Sequence, residues 1–213
     1  MTAQLYCFGE SGHSYKAALS MTLAGIPWEP VFVDFFNGET RSPTFRDTVN
    51  VMGECPVLVD GETRLSQSAL IQLRVVEQAG KLGWADEAEH QEVLRWLFWD
   101  NHKMSSQAGA LRYFMNFLPE EHRNADVIAW LQGRVRAALQ VLEAALEGRT
   151  WIATSREVSI ADLSCCSYLF YPEPFGFDRA DWPNIDAWLD RIAALPGWAH
   201  PYELMPGNPS DRA

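Results

Sequence analysis

Gly53-Glu54-Cys55-Pro56-Val57-Leu58-Val59-Asp60-Gly61-Glu62-Thr63-Arg64-Leu65-Ser66-Gln67-Ser68-Ala69-Leu70-Ile71 is the stretch on which the reading of this chain turns. Pro56 leads into Val57-Leu58-Val59, a short apolar run suited to a buried strand, and Asp60-Gly61-Glu62 supplies a turn. A second short strand follows around Arg64 and Leu65. From Gln67 the apolar residues recur at helical spacing as far as Ala79, and Gly80 stops them.

Toward the N-terminus the same grammar continues. Residues 4–8 form an apolar, aromatic-rich run that reads as a strand and breaks at Gly9-Glu10-Ser11-Gly12. Residues 15–24 have helical spacing and end at Gly25, and residues 28–35 read as a second strand. Residues 37–43, with Gly, Ser and Pro, lead into a short helix. The first eighty residues therefore carry the order βαβαββα.

Beyond Gly80 no strand pattern recurs. Residues 89–117 contain a long helix with Val93, Leu94, Leu97, Met104, Ala108, Leu111 and Met115 on one face, and residues 126–146 supply another. Ser159-Ile160-Ala161-Asp162 is a capping box, with Val158 and Leu163 spaced as its hydrophobic staple. Pro183 opens the last clear helix, which ends near Leu195-Pro196-Gly197, and the tail 206–213 is expected to fray. The expected architecture is α/β plus all-α: residues 1–80, a linker at 81–86, and a helical domain at 87–213.

A chain of 213 residues can hold one large domain or two small ones, and 47% hydrophobic residues with nine Trp exclude disorder. Lys and Arg number 17 against 28 Asp and Glu, and a net charge of −11 repels phosphate backbones and anionic membranes. Nucleic acid and membrane are thus excluded as expected partners. No stretch approaches the roughly 20 apolar residues of a membrane-spanning helix. The N-terminus shows no basic segment followed by an apolar one, so a cytoplasmic location is expected. Cys7, Cys55, Cys165 and Cys166 lack CxxC spacing, which suits neither a zinc site nor a disulfide framework. Reduced buried thiols and no metal are expected.

Four local signals, in order, resemble the cytosolic glutathione transferase family over nearly the whole chain. Ser11-Gly12-His13-Ser14-Tyr15-Lys16 resembles the serine motif of the zeta- and theta-like classes. Gly53-Glu54-Cys55-Pro56-Val57-Leu58 is similar to the family's segment ending Val-Pro-x-Leu, whose proline is cis. Leu65-Ser66-Gln67-Ser68-Ala69-Leu70-Ile71 resembles its Glu/Gln-Ser pair at the start of the third helix, and the box at Ser159 resembles its folding signature.

The resemblance implies a thioredoxin-like first domain, glutathione as co-substrate and a homodimer. It places Glu54, Cys55, Pro56, Gln67 and Ser68 in the glutathione site. A helix N-terminus offers N–H donors and a positive dipole end to the γ-glutamyl carboxylate, so Ser68 would donate to that group while Gln67 lends an uncharged amide oxygen to the ammonium. Plain N-capping is the other use of Ser66-Gln67-Ser68. The backbone of Cys55 would pair with the cysteinyl unit in strand fashion. Its thiol is either a small apolar group packed beneath the site or a reactive one. Arg41 is a candidate for the glycyl carboxylate.

Ser11 is the expected catalytic residue. Lowering a thiol pKa from near 8.5 by about two units takes roughly 2.7 kcal/mol, within reach of one charge-assisted hydrogen bond of about 1.5–3 kcal/mol at a helix N-terminus. Ser14 is better placed as the N-cap. His13 could act as a base or hold the glycyl end, and otherwise faces solvent; Tyr6, used by some classes, otherwise packs within its strand. Phe35, Phe36, Ser105, Ser106, Tyr113, Phe114 and Phe117 are candidates for an apolar electrophile pocket, or core. The leading function is conjugation of glutathione thiolate to a small apolar electrophile. The alternatives are a noncatalytic glutathione- or ligand-binding protein, and a glutathione-dependent isomerase or thiol oxidoreductase.

Overall fold

The computed structural model of the chain describes residues 2–207. Two compact units divide it, Met1–Leu82 together with Leu195–Ala213, and Gly83–Ala194.

The first unit is built on a four-stranded sheet of order β2-β1-β3-β4. Strand β1 (Ala3–Cys7) buries Ala3, Leu5 and Cys7 on one face, as the two-residue period of a strand requires. It pairs parallel with β2 (Trp28–Phe32) and antiparallel with β3 (Val57–Asp60). Strand β4 (Thr63–Ser66) closes the hairpin through Asp60↔Thr63. Strand β2 is shorter than its apolar run suggests: the Val33 N–H still donates to the Cys7 carbonyl at 3.0 Å, and Asn37 Nδ2 on Asp34 at 2.8 Å then fixes a turn.

Three helices serve this sheet: α1 (Gly12–Ala24), α2 (Pro43–Thr48) and α3 (Ser68–Ala79). The order is βαβαββα, as read from the sequence. Gly25 closes α1 in the left-handed region at φ 79°, donating its N–H to the Met21 and Thr22 carbonyls. Helices α1 and α3 are joined by a buried chain in which Gln72 Nε2 donates to Ser20 Oγ at 3.1 Å and Ser20 Oγ donates to the Lys16 carbonyl at 2.7 Å. Nearer both helix starts, His13 Nδ1 lies 3.4 Å from Ser68 Oγ. The pairs 13/68 and 20/72 ascend together, so the two helices run the same way and their N-termini share one end.

Residues 195–207 belong with this unit, not with the helical domain expected to reach 213. Tyr15 Oη donates to the Ala199 carbonyl at 2.9 Å, and the Gly9 N–H donates to the Pro206 carbonyl at 2.6 Å. A Cβ on Gly9 would stand only 3.1 Å from the Gly207 carbonyl oxygen, so glycine permits the approach. Most of the tail expected to fray, 208–213, lies outside the described residues.

The second unit is helical. Helix α4 (Glu87–Trp99) passes through a π-helical turn (Asp100–Ser105) into α5 (Ser106–Arg112), and a second π-helical turn (Tyr113–Phe117) ends the run. The single regular helix expected over 89–117 is thus widened twice. The first widening surrounds a buried carboxylate: Asp100 accepts from Ser105 Oγ at 2.8 Å and from Ser164 Oγ at 2.6 Å.

Helices α6 (Ala125–Leu146), α7 (Ile160–Cys165) and α8 (Pro183–Ala193) complete this unit. A short α9 (Pro201–Leu204) lies in the segment belonging to the first. The Ser159 box forms, and Asp162 does more than cap. Its carboxylate accepts from the Ser159 N–H at 3.0 Å, Ser159 Oγ at 2.9 Å, the Ile152 N–H at 2.9 Å and Trp188 Nε1 at 3.0 Å. Burial pushes its carboxyl upward, and those donors oppose the shift by favouring the charged form. Among the described residues no helix is long and apolar enough to cross a membrane.

Asp162→Ala strands buried donors at about 1–3 kcal/mol each, so stability should fall by about 3 kcal/mol or more. Urea unfolding tests this directly; a loss below about 1 kcal/mol would mean that water or neighbouring groups replace the carboxylate.

Candidate functional site

Ser11 is buried at 7% exposure and is itself the N-cap of α1, with extended backbone at φ −86° and ψ 106°. Its Oγ accepts the Ser14 N–H at 3.1 Å, and its own N–H donates to the Phe8 carbonyl at 3.1 Å. This corrects the capping expectation: the helix begins at Gly12, so Ser11 holds the position assigned to Ser14. An accepting oxygen keeps its hydroxyl hydrogen, so Ser11 can cap and still donate.

Ser14 instead sits fully buried in the first turn, close to the Cys55 thiol. Burial pushes that thiol up to about 12, Cys7, Glu39 and Glu54 push the same way, and only the Ser14 hydroxyl opposes them. Cys7 is likewise raised to about 12 by burial. At neutral pH Cys55 is a thiol, which fits the packing use and not the reactive one. The Cys55-Pro56 bond is cis, the geometry that the resemblance implied.

His13 does not face solvent as a residue of a free turn would. It lies in the first turn of α1 against Ser68, and burial, with Lys16 beside it, lowers its pKa to about 3. A ring that weakly basic stays neutral and makes a poor base. Tyr6 is the next-to-last residue of β1, paired with Val31 and Val57 and on the face opposite Leu5 and Cys7.

Gln67 is the N-cap of α3 and makes no side-chain cap hydrogen bond. Its backbone stands at φ 73°, ψ 114°, a conformation costing a non-glycine residue about 1–3 kcal/mol. Its Nε2 donates to Glu54 Oε2 at 3.0 Å. Ser68, buried, is the first residue of α3. Asn50, which the sequence reading passed over, orders the loop below. Its Nδ2 donates to the Glu54 carbonyl at 2.9 Å and its Oδ1 accepts the Met52 N–H at 3.1 Å. An Asn before a Gly-containing turn was the available signal.

Arg41 ends a 3₁₀ turn (Glu39–Arg41), exposed and close over Gly38. Phe35, at 38% exposure, stacks on Phe8 with ring centres 4.8 Å apart, and Phe36 meets Phe8 edge-on at 5.9 Å. Phe8 was also missed; its carbonyl holds Ser11. In the helical unit Ser105 is 1% exposed and spends its hydroxyl on Asp100, so it is a core residue and not a pocket wall. Ser106 Oγ donates to the His102 carbonyl at 2.8 Å on an exposed face, and Tyr113 is half-exposed beside Phe114. Among the described residues no group of His, Cys, Asp or Glu is placed to hold a metal ion.

A mixed four-stranded sheet with two helix starts at one end is a thioredoxin-like domain, and a helical unit follows it in the chain. Residues 1–75 match the glutathione S-transferase N-terminal domain and residues 102–196 the C-terminal domain. A solved glutathione S-transferase from Xanthobacter autotrophicus is 31% identical, with 99% of each chain covered and a TM-score of 0.86. Glutathione S-transferase 1 of Dianthus caryophyllus is 25% identical over 88% of this chain and 85% of its own. Glutathione S-transferase F10 of Arabidopsis thaliana is 28% identical over 87% and 89%. The chain belongs to the glutathione S-transferase family, whose co-substrate is glutathione.

With its pKa near 12, Cys55 should resist iodoacetamide at neutral pH and react only after unfolding, which peptide mass spectrometry reads. Prompt labelling of the folded chain would contradict the burial argument. His13 sets a pH dependence. Its folded pKa of about 3 lies below the ordinary 6.5, so the unfolded chain takes the proton first and stability declines as pH falls through that window. His13→Gln should flatten the decline in urea unfolding between those limits.

Proposed function

We propose that the chain is a catalytic glutathione transferase in which Ser11 holds the glutathione sulfur as thiolate. The thiol proton passes to solvent, and the sulfur lone pair forms the new bond to a small apolar electrophile whose leaving group or π-bond takes the displaced electrons. What carries this reading is the shared end of α1 and α3: Ser11 caps one helix, Ser68 begins the other, and His13 bridges them. Two anions on one tripeptide, thiolate and γ-glutamyl carboxylate, suit two adjacent helix N-termini, each worth about half a positive charge.

Gln67 Oε1 would take the ammonium, the backbone of Cys55 the cysteinyl unit, and Arg41 the glycyl carboxylate. Among the described residues no ion pair engages Arg41, and no hydrogen bond reaches the Cys55 N–H or carbonyl. The half-exposed Phe35 ring, stacked on the Phe8 whose carbonyl holds the Ser11 N–H, offers an apolar surface in the first unit. A thiol-disulfide role for Cys55 is disfavoured by its protonated thiol.

Ser11→Ala should raise the pKa of bound glutathione by about one to two units, with a matching fall in turnover at neutral pH, while leaving its affinity nearly intact. It should also cost about 1 kcal/mol of stability as a lost N-cap. Ser11→Thr should restore both. Thiolate absorbance across pH decides the question: an unchanged thiol pKa in Ser11→Ala removes Ser11 from the chemistry, and no thiolate in the parent chain favours a noncatalytic binder. Ser68→Ala should weaken glutathione binding in calorimetry; unchanged affinity would defeat the anion-site reading.

A homodimer is the second part of the proposal, supported by the family's usual dimeric state and by the exposed side chains of Val51, Met52 and Leu70. Sedimentation at micromolar concentration should give twice the chain mass of 24.1 kDa; the single-chain value would refute it.

A further inference from the structure

Between β1 and α1 the chain makes a tight turn in which the Ser11 N–H donates to the Phe8 carbonyl at 3.1 Å, with Gly9 and Glu10 at the corner. That bond ties the ends of the turn to each other. Where Ser11 Oγ stands depends on what else the turn is fastened to, and a donor aimed at a thiolate weakens steeply with distance and angle.

The fastening comes from the far end of the chain. The Gly9 N–H donates to the Pro206 carbonyl at 2.6 Å. Four residues past Ser11, the Tyr15 N–H donates to the Ser11 carbonyl at 2.9 Å, while its hydroxyl, on a fully buried side chain, donates to the Ala199 carbonyl at 2.9 Å across 184 positions of sequence. Between those two ties α9 packs on α1, with Pro201 and Met205 buried. The fit is close on both sides. A Cβ on Gly9 would meet Tyr202 Cδ1 at 3.2 Å, and a Cβ on Gly207, which stands at φ 90°, would come within 2.6 Å of Phe32 Cε2. Neither tie is needed to form α1, which has its own cap, or the sheet, in which β1 is paired on both edges. Both bear on the short stretch that carries Ser11.

We infer that residues 199–207 are a strap that positions the Ser11 hydroxyl, and that Tyr15 is the positioning residue through which the strap holds the start of α1. The inference rests on the reading of Ser11 as the thiolate donor. Tyr15 touches neither sulfur nor electrophile in this role; it fixes the backbone from which Ser11 reaches.

Thiolate absorbance of bound glutathione across pH, measured on the full chain, tests the strap from two sides. Tyr15→Phe keeps the ring and deletes one tie, and Gly207→Ala disturbs the strap at its own end without altering α1. Each should raise the thiol pKa by about half a unit and lower turnover below that pKa about threefold, with little change in glutathione affinity. Added to Ser11→Ala, the same substitutions should leave the pKa where Ser11→Ala alone puts it, a coupling that a loss of stability would not produce. A thiol pKa unmoved in folded Tyr15→Phe and Gly207→Ala, or shifts that add in full to that of Ser11→Ala, overturns the strap while Ser11 keeps its role. A thiol pKa unmoved by Ser11→Ala itself overturns both.

Discussion

Two helices that start at the same end of one sheet are the constraint from which the rest of this site follows. Parallel neighbours place like dipole ends side by side, an arrangement that is unfavourable until an anion arrives. Here it is enforced by burial: Ser20 and Gln72 are fully buried and hydrogen-bonded to one another, so α1 and α3 cannot slide without breaking that bond. His13 and Ser68 then meet at the open end, and the backbone donors of both first turns point the same way. The positive end is a standing feature of the fold.

The residues around that end are supports as much as contacts. Ser11 keeps the α1 start in place through Ser14 and keeps a hydroxyl hydrogen in reserve. Burial keeps Cys55 protonated, which removes a competing nucleophile from the neighbourhood of a substrate thiol. The backbone of Gln67 stands outside the ordinary conformations, and the hydrogen bond to Glu54 holds its side chain against that loop. The helical unit uses the same economy at Asp162, where one carboxylate satisfies a loop, a cap and an indole together.

Much of this was legible beforehand. The hairpin at 57–66, the αL stops at Gly25 and Gly80 and the Ser159 box depend on residue type and short-range spacing, and all appear as read. The N-cap of α1 was misplaced by three residues because Ser11 and Ser14 are both good caps, and only the position of the helix axis against the sheet chooses between them. Ser105 looked like a wall of an apolar pocket because its helix face carries aromatics, yet the buried Asp100 needs its hydroxyl. The π-helical turns, the regrouping of residues 195–207 and the Gln67–Glu54 bond likewise join residues with no sequence signature for one another.

The amino-acid sequence by itself determined the element order, the division into a mixed-sheet part and a helical part, and which residue types could serve an anionic thiol tripeptide. Those properties follow from periodicity, capping and turn chemistry, which act over a few residues. Only the tertiary structure decided that Ser11 caps while Ser14 is buried, that His13 is neutral and bridges to Ser68, and that Gln67 comes with a carboxylate. Each of those depends on burial or on a partner up to 55 residues away, and burial and distant partners come into being only when the chain has packed.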